Sequence, residues 1–496
     1  MCALNVEKGM RLYMKNISIW QDTVNDSDNY EALKENIDVD ILIIGGGITG
    51  CSTFYQFKDD NRKVVLVEKN RIGSGASSRS SAKITFLQED IYTKLKYIFG
   101  RDKSYLYYRS QKEALKMVSC IVKNEKIDCD LKKSKSYLYT LDSSNIKKIE
   151  KEKEVLSSFG EKTTSIKKLP NGMKVESGFY VNDTYTFHPL KFIKEIVKKS
   201  ISLNHRVYEK TKIIKIEKDG DSFKCYTEGN IIKTKKIILA LHYPYFLLPY
   251  LMPFKCYLEK SFLVCSSINN SYDFNAINIE KPLKSIRYYN DYLLTVSSSA
   301  NLAFASNSKK MVNDLENNTN ITNYDYVWSN YDLMTLDHLP LIGFIDDNLI
   351  LSTGYNTWGN SNGILASTII KDLIDNKYNI YKELFDPRRA FNKQKLINYP
   401  INIFSNLYSF IDSKVNKNKS FYNGNPKFTR IDGKAVAIYK DDKGREHIVY
   451  NKCPHLGCGL VFNEVEKTWD CPCHGSRFDL DGKSIMGPSN YDIGYK

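Results

Sequence analysis

The sequence predicts a chain of two parts, a large α/β domain built on a parallel sheet and a small C-terminal module. Two observations support this prediction. A strand, a glycine-rich turn, a helix and a second strand follow one another within residues 38 to 68, which is the order of a parallel βαβ unit. Four of the 11 cysteines fall within residues 453 to 473, so a second kind of chemistry is concentrated near the C-terminus.

The first element is a near-continuous apolar run, Asp38 to Ile44, typical of a parallel strand that is buried on both faces. The turn that follows has three glycines, which permit a tight turn, a close approach to a pyrophosphate and close packing of the next helix. The helix N-terminus favours the anion, and an acid after the second strand can accept hydrogen bonds from a ribose diol. These features predict a dinucleotide site formed by Gly45, Gly47, Gly50 and Glu68.

A second Gly/Ser-rich stretch spans residues 71 to 83, and further motifs follow at Trp328-Ser329, at residues 337 to 343 (D-H-L-P-L-I-G) and at residues 353 to 359 (T-G-Y-N-T-W-G). With these motifs in this order, residues 38 to 375 resemble the FAD-dependent amine and amino-acid oxidoreductases, a family that includes D-amino-acid oxidase, glycine oxidase and sarcosine oxidase. The resemblance implies an α/β FAD-binding Rossmann-type domain with an interleaved mixed-sheet substrate domain.

The resemblance also implies roles for individual residues. Ser77 and Ser78 would close over the flavin phosphates, the backbone of Val207 would meet the adenine, and the last turn would reach the flavin ring through Gly354, Trp358 and Gly359. Sarcosine oxidases attach their flavin to a cysteine ahead of the Asp337 motif, but residues 330 to 335 (N-Y-D-L-M-T) contain none. We therefore expect noncovalent FAD.

The C-terminal cysteines occur in two boxes, C-P-H-L-G-C at residues 453 to 458 and C-P-C-H-G-S at residues 471 to 476. The boxes resemble those of bc-type Rieske iron-sulfur proteins. A Rieske [2Fe-2S] centre needs two thiolates on one iron and two imidazoles on the other, and the boxes supply these ligands as Cys453, His455, Cys471 and His474. Tetrahedral zinc is the alternative for the same ligands, but it explains neither Cys458 and Cys473 nor the Gly475-Ser476 and Gly487-Pro488 that follow.

The bc-type resemblance implies further details of this module. Cys458 and Cys473 would form a disulfide between the ligand loops, although cytosolic disulfides are rare. Ser476 would donate a hydrogen bond to a bridging sulfide, and Pro488 would shield the cluster. The residue after Arg477 is Phe478 rather than the usual tyrosine, so we expect a lower cluster potential. The expected units are residues 38 to 375, a linker over 376 to 412, and an all-β Rieske domain over 413 to 496.

Composition argues against a dedicated nucleic-acid role. Lys+Arg 72 minus Asp+Glu 57 gives a net charge of +15, but most of the excess is lysine spread along the chain.

The N-terminal 20 residues show no signal pattern, and whether Met1 or Met14 is the start stays open. The apolar stretch from Ile237 to Phe254 contains three prolines, so we expect a strand and a loop, no transmembrane segment, and a cytoplasmic protein.

The predicted activity is a dehydrogenase that oxidises a small amine or amino acid by hydride transfer to FAD. Electrons would then pass singly through the cluster, whose imidazole edge is usually exposed, to an acceptor protein or carrier. Candidate substrate residues are Arg287, as a carboxylate clamp, and Lys83 and His188, which lie in family-like segments. Two alternatives stay open: a non-enzymatic module that senses redox state or iron, and a reductase in which the cluster feeds electrons to the flavin.

Overall fold

A computed structural model describes residues 15–25, 29–243, 255–281, 283–301, 313, 323–390, 426–489 and 491–495. Residues 391–412 of the expected linker, residues 244–254 of the apolar stretch, and Met14 lie outside these ranges. Within the ranges, no helix has both the length and the apolar character needed to cross a bilayer.

The described α-helices all lie in the first 385 residues of the chain. The longest, of 25 residues, begins directly after Gly100, and another begins with Pro189 at its first position, where a missing backbone N–H costs nothing. The α-helices are α1 (Ile19–Thr23), α2 (Ile48–Gln56), α3 (Ile91–Phe99), α4 (Arg101–Glu125), α5 (Ile146–Ser158), α6 (Pro189–Ser200), α7 (Gly359–Ile374) and α8 (Lys382–Phe385).

Strands of the same part belong to two large sheets. In chain order they are β1 (Ile37–Ile44), β2 (Val64–Val67), β3 (Lys83–Ile84), β4 (Lys132–Thr140), β5 (Thr164–Lys168), β6 (Lys174–Thr186), β7 (His205–Tyr208), β8 (Lys215–Asp219), β9 (Ser222–Tyr226), β10 (Ile231–Leu239), β11 (Cys256–Ser267), β12 (Phe274–Asn278), β13 (Lys284–Tyr289), β14 (Tyr292–Asn301), β15 (Tyr326–Thr335), β16 (Leu341–Asp346) and β17 (Leu349–Thr353).

The first sheet has the order β16-β17-β10-β1-β2-β7, with β9 and β8 attached beside β10. Its central pairs, β1 with β2, β1 with β10, β10 with β17 and β2 with β7, are parallel. All four residues of β2 are buried, as the continuous apolar runs predict for a sheet covered on both faces. α2 packs against α6 and α7. The predicted Rossmann-type α/β domain is confirmed.

The second sheet has the order β15-β11-β14-β13-β12-β4-β6-β3, with β5 beside β6. It is mixed, because β4 and β12 run parallel while the other pairs are antiparallel. The chain leaves the first sheet after β2 and again after β10 to build it, and returns at β7 and β16. The expected interleaved mixed-sheet domain is therefore confirmed.

The C-terminal module contains two small antiparallel sheets, as expected for an all-β domain. Its apolar core includes Trp469 and Phe478 together with the cysteines of both boxes. The first box follows the three-stranded sheet and the second box separates two strands of the four-stranded sheet. The strands are β18 (Lys427–Ile431), β19 (Lys434–Lys440), β20 (Glu446–Tyr450), β21 (Val461–Asn463), β22 (Thr468–Asp470), β23 (Arg477–Phe478) and β24 (Ser484–Met486).

Candidate active site and metal-cluster centre

The glycine-rich turn between β1 and α2 forms one wall of a large cavity. Gly45 has φ +110°, and a Cβ atom there would lie 2.4 Å from the carbonyl oxygen of Ala240. A Cβ atom on Gly50 would lie 1.9 Å from the carbonyl oxygen of Gly45, so Gly50 permits close packing of α2 against the turn. Gly45 and Gly47 line the cavity, which leaves their backbone accessible to a ligand.

Glu68 lies directly after β2 and lines the same cavity. Its two carboxylate oxygens accept hydrogen bonds from the backbone N–H groups of Gly46 and Asn70, each at 2.8 Å. Burial raises the pKa of this carboxyl although the two hydrogen bonds oppose the shift. Thr211 and Ile213 line the cavity beside it. We call the part of the cavity formed by Glu68, Thr211 and Ile213 its ribose end.

The two serines of the Gly/Ser-rich stretch have different environments. Ser77 lines the cavity, and its hydroxyl accepts a hydrogen bond of 2.9 Å from the backbone N–H of Ile48, at the start of α2. Ser78 is fully buried and donates to the carbonyl of Gly75 at 2.9 Å. Ser77 therefore faces the cavity, whereas Ser78 stabilises the short helical turn that carries both serines.

Another part of the cavity is formed by the turn before α7 and by β15. Gly354 has φ +71°, and a Cβ atom there would lie 2.6 Å from Thr335 Cγ2. Gly354 and Gly359 line the cavity, as do Asn330 and Asp332 of β15, and we call these four residues its ring end. Trp358 precedes α7 but is not among the described residues that line the cavity.

These features fit a bound FAD. The cavity extends from the glycine-rich turn after β1 to the turn before α7, and residues of both turns line it. A glycine cradle that any side chain would fill lies beside a buried carboxylate, and the N-terminus of α7, a helix of 16 residues, opens onto the ring end. The donors match the phosphate, ribose and ring groups of a flavin dinucleotide.

The four predicted cluster ligands converge in the C-terminal module. The imidazole rings of His455 and His474 lie 4.9 Å apart between centroids, and the Nδ1 atom of each is buried without a hydrogen-bond partner. The thiols of Cys453 and Cys471 are hydrogen bonded to each other, which lowers the pKa of Cys453 and raises that of Cys471. Two thiols and two unpartnered imidazole nitrogens fit a Rieske cluster.

Cys458 and Cys473 are joined by a disulfide bond that connects the two ligand loops. Their sulfur atoms lie within 4.8 Å of Cys471 Sγ, but the disulfide leaves neither of them a thiolate to offer. The other described cysteines are unpaired and buried, except Cys120, which is exposed. The pairing matches the one that the bc-type resemblance implies.

Comparison with known protein families agrees with this geometry. A family model described as FAD dependent oxidoreductase matches residues 40–373, and one described as Rieske [2Fe-2S] domain matches residues 412–493. The chain belongs to the FAD-dependent oxidoreductase family and carries a Rieske domain. Its cofactors are accordingly FAD and a Rieske [2Fe-2S] cluster.

Several known proteins align with most of the length of this oxidoreductase. It is 30% identical over 487 residues to the Rieske 2Fe-2S iron-sulfur protein YhfW of Bacillus subtilis (strain 168), with 94% of this chain and 95% of the relative covered. It is 21% identical over 385 residues to gamma-glutamylputrescine oxidoreductase of Escherichia coli (strain K12), covering 72% and 88% of the two chains. Glycine oxidase from Geobacillus kaustophilus shares the fold, with a TM-score of 0.61, 15% identity, and 72% and 100% of the chains covered.

The Rieske domain of the oxidoreductase contacts the flavoprotein part through buried charges. Glu466 pairs with Arg79 at 2.9 Å, and Asp470 pairs with Lys260 at 3.1 Å. Arg477, from the Rieske domain itself, bridges both acids at 2.6 and 3.1 Å. Four of the five side chains are at most 4% exposed, and Arg79 is 11% exposed. We call these five residues the ionic cluster.

Two uncharged residues of β15 complete this contact. The Tyr331 hydroxyl donates to Asp470 at 2.7 Å, and the Ser329 hydroxyl donates to Glu466. Burial raises the pKa of both acids of the ionic cluster, but the charge of Arg477, with Arg79 for Glu466 and Lys260 for Asp470, outweighs burial and lowers both pKa values. Both carboxylates are therefore charged at neutral pH.

A second contact brings the cluster ligands to the FAD cavity. The ring of Tyr243 lies edge-on to His474 and His455, at centroid distances of 5.7 and 6.4 Å, and Tyr243 also lines the cavity. Met486 and Gly487 of the Rieske domain line the cavity as well. The imidazole pair thus faces a residue of the same chain, and both imidazoles are only partly buried.

The expected adenine contact at Val207 is not observed. Val207 lies in β7 opposite Leu66 of β2, is buried, and is not among the described residues that line the cavity. Thr211 and Ile213, a few residues further along, take the lining positions. The strand was identified correctly but the residue was not, because one apolar residue in a strand is hard to distinguish from the next without knowing where the strand ends.

Arg287 does not act as a carboxylate clamp in this structure. It is 2% exposed, and its guanidinium donates to the backbone carbonyls of Ser81, Ala82 and Phe187 at 2.7 to 3.0 Å. Its guanidinium carbon also lies 4.9 Å from the ring centroid of Trp20. Arg287 therefore holds backbone segments together, and it is not among the described residues that line the cavity.

His188 and Lys83 also lie outside the described cavity lining. His188 caps α6 by accepting a hydrogen bond from the Lys191 backbone N–H at 3.2 Å. Lys83 is buried and donates to the hydroxyl of Ser285, with its Nζ atom 5.8 Å from the Trp358 ring centroid. Burial, aided by the charge of Arg287, lowers the pKa of Lys83 to about 7.

Sequence reasoning missed the residues that join the two parts of the chain. Tyr243, Lys260 and Asp470 belong to no local motif, and their partners lie more than 200 residues away. Asp332 falls within a stretch that sequence analysis used only for its lack of cysteine. The signal available for it was alternation along a strand, which places Asp332 on the same face as Asn330.

Proposed function

We propose that this oxidoreductase is a dehydrogenase that oxidises a small amine or amino acid and delivers the electrons through its Rieske cluster to an external one-electron acceptor. FAD supplies two-electron hydride chemistry when bound, and the cluster supplies one-electron transfer. The observation that supports this function is Tyr243, which contacts both cluster histidines and also lines the FAD cavity. Tyr243 thus connects the cluster ligands to the lining of the FAD cavity.

The proposal assigns tasks to this chain's own residues. The turn with Gly45, Gly47 and Gly50 and the hydroxyl of Ser77 hold the dinucleotide phosphates, and Glu68 binds the ribose. Gly354 and Gly359 leave room for the flavin ring at the ring end. Cys453 and Cys471 bind one iron, and His455 and His474 bind the other. No side chain is needed to move a proton onto the flavin, because hydride transfer depends mainly on positioning.

The FAD is proposed to be noncovalent. Among the described residues that line the cavity there is no cysteine, and residues 330 to 335, the stretch that corresponds to the flavin-attachment segment of sarcosine oxidases, contain none. The amine or amino-acid substrate class draws support from the relatives named glycine oxidase and gamma-glutamylputrescine oxidoreductase.

Anaerobic titration with a panel of amines and amino acids tests the proposal. We expect a substrate to bleach the flavin absorption and to produce the electron paramagnetic resonance signal of the reduced cluster in the same sample. In Cys471→Ser, which lacks a cluster ligand, the flavin should still bleach while the signal is absent. A flavin that only dithionite reduces would support the sensor alternative, and a flavin reduced only after the cluster would support the reductase alternative.

A further inference from the structure

The ring end of the FAD cavity is acidic. Among the described residues that line the cavity none is an arginine, and the acids are Glu68 and Asp332. Glu68 lies at the ribose end and accepts hydrogen bonds from two backbone N–H groups. Asp332 is therefore the acid available at the ring end, where a substrate must lie to reach the flavin.

Asp332 belongs to a group of three carboxyls on two strands and a loop. Glu259 of β11 is its direct register partner across the sheet, so the two side chains emerge on the same face about 5 Å apart at Cβ. Burial, together with the charge of Glu259, raises the pKa of Asp332 to about 7. Burial also raises the pKa of Glu89, in the loop after β3, and Glu259 contributes there too.

The described positive charges near this group act on Glu89. Lys94 and Lys281 act on Glu89, but Lys94 also forms an ion pair of 2.6 Å with Asp90 on its own helix. His338 is kept neutral at physiological pH, because burial lowers its pKa to about 4. The Tyr257 hydroxyl is hydrogen bonded to Glu259. Because an opposite charge favours the ionised form of a carboxyl, a cationic ligand beside Asp332 would favour its charged form.

A second, independent feature also calls for a hydrogen-bond donor at this place. Asn330 is 5% exposed and lines the cavity two residues before Asp332 on the same strand. Its Nδ2 atom donates to Asp332 Oδ1 at 3.2 Å, whereas its Oδ1 atom is buried without a partner. A buried acceptor without a donor is unfavourable, so a ligand that brings N–H groups would satisfy it.

We propose that the substrate presents a cationic amine, and not a carboxylate, to the ring end, where Asp332 and the Oδ1 atom of Asn330 accept hydrogen bonds from it. An ammonium group has three donors and no acceptor, which matches two acceptors in an acidic wall. A carboxylate there would face Asp332, and the described lining residues include no arginine to pair with it. Arg287 is occupied by backbone carbonyls. This inference rests on the proposed function and narrows it to amines.

Two compounds of similar length isolate the charge that the ring end prefers. 1,4-Diaminobutane and butanedioate have chains of similar length and differ in whether both ends carry an ammonium or a carboxylate. Binding to the oxidised holoenzyme is read as the half-saturation concentration of the change in flavin absorption, and independently as a shift in the thermal unfolding midpoint. We expect the diamine to bind about tenfold or more tightly than the dicarboxylate.

Variants of Asp332 make the test specific. Asp332→Asn should weaken diamine binding by about ten- to a hundredfold, as expected when a hydrogen bond to a charged group is lost. Asp332→Arg should reverse the preference in favour of the carboxylate. Asp347→Asn, in the exposed turn between β16 and β17, is the matched control and should leave both affinities unchanged. Unaltered flavin and cluster spectra in each variant verify that it is folded.

The outcomes distinguish a failure of this inference from a failure of the proposed function. Tighter binding of butanedioate by the parent protein, or diamine affinity unaffected by Asp332→Asn, would overturn the inference and leave an amino-acid dehydrogenase intact. If neither compound nor any amine or amino acid of the panel perturbed the flavin spectrum, the proposed function itself would be wrong.

Discussion

The Rieske domain meets the flavoprotein part through two contacts of opposite character. In the ionic cluster, each of the five charged groups has an oppositely charged partner within 3.1 Å. In the contact with Tyr243, the rings are uncharged or held neutral, and the Nδ1 atoms of His455 and His474 have no partner in the protein. The first contact can fix the domain in place, and the second leaves its ligand atoms free for iron.

This difference indicates that the two contacts have different roles. Buried charge pairs are weak evidence for stability as such, but they define position, because removing one member leaves another charge buried and unpaired. The position they define here is the one that brings the imidazole pair to Tyr243. Changes in the ionic cluster should therefore alter docking, whereas changes near the iron ligands should alter the redox properties of the cluster.

The largest effect is expected for Asp470→Asn. This change leaves Lys260 and Arg477 without their shared carboxylate, and breaking a buried pair costs about 3 to 5 kcal/mol of the free energy of unfolding. Glu31→Gln, which removes an exposed pair with Lys34, is the control and should cost less than about 1 kcal/mol. Equal losses in urea unfolding of the two variants would show that the ionic cluster does not hold the domain.

A somewhat smaller effect is expected for the disulfide, which holds the two ligand loops within the Rieske domain. Closing the loop between Cys458 and Cys473 should contribute roughly 2 to 4 kcal/mol by restricting the unfolded chain. Peptide mapping after alkylation should find the bond intact in cluster-loaded protein, and the Cys458→Ser, Cys473→Ser double variant should lose its cluster at lower urea concentration. Two free thiols in loaded parent protein would contradict the assignment.

Acid should weaken the ionic cluster. Burial raises the pKa of Glu466, but the charges of Arg477 and Arg79 outweigh it and bring the pKa to about 2, below the usual value of 4.5. Because the folded state binds this proton less tightly than the unfolded state, the stabilisation is complete above about pH 4.5 and declines as the pH falls toward 2.

The comparison for this prediction is between the parent protein and Glu466→Gln. The difference between their thermal unfolding midpoints should be largest near neutral pH and should narrow as the pH is lowered through the carboxyl range. A difference that stays constant with pH would mean that Glu466 does not carry its charge in the folded protein.

The smallest effect is expected at Phe478, in the core beside the cluster ligands. A tyrosine at this place in bc-type proteins donates a hydrogen bond to a ligand sulfur, and phenylalanine cannot. If that bond is worth roughly 1 kcal/mol, Phe478→Tyr should raise the cluster potential by about 40 mV, since 59 mV corresponds to a tenfold change in a one-electron equilibrium. Film voltammetry decides this, and an unchanged or lower potential would show that Phe478 does not replace the tyrosine.

The sequence predicted those parts of the molecule whose chemistry demands particular residues at short spacing. Gly45 and Gly50 could be identified because backbone contacts leave no room for a Cβ atom. His455 and His474 could be identified because one iron of a Rieske cluster needs two imidazole ligands. The parallel sheet followed from continuous apolar runs such as β2. In each case the physical requirement acts within a few neighbouring residues.

Contacts between distant segments could not be predicted in this way. Nothing near Arg287 in the sequence indicates that three carbonyl groups from other segments would occupy its guanidinium. The pairing of Lys260 with Asp470 and the position of Tyr243 depend on how two domains dock, and docking has no local pattern. Asp332 became informative only when the structure placed it at the cavity beside Asn330.

The central claim is that electrons pass from FAD to the cluster within one molecule, across Tyr243. Brief illumination of the anaerobic holoenzyme with EDTA as electron donor reduces the flavin without a substrate, and the cluster absorption then reports electron arrival. We predict a first-order rate that does not change when the protein is diluted and that falls in Tyr243→Ala but not in Tyr378→Ala, a change at a highly exposed tyrosine. A rate proportional to protein concentration, or one unaffected by Tyr243→Ala, would contradict the account.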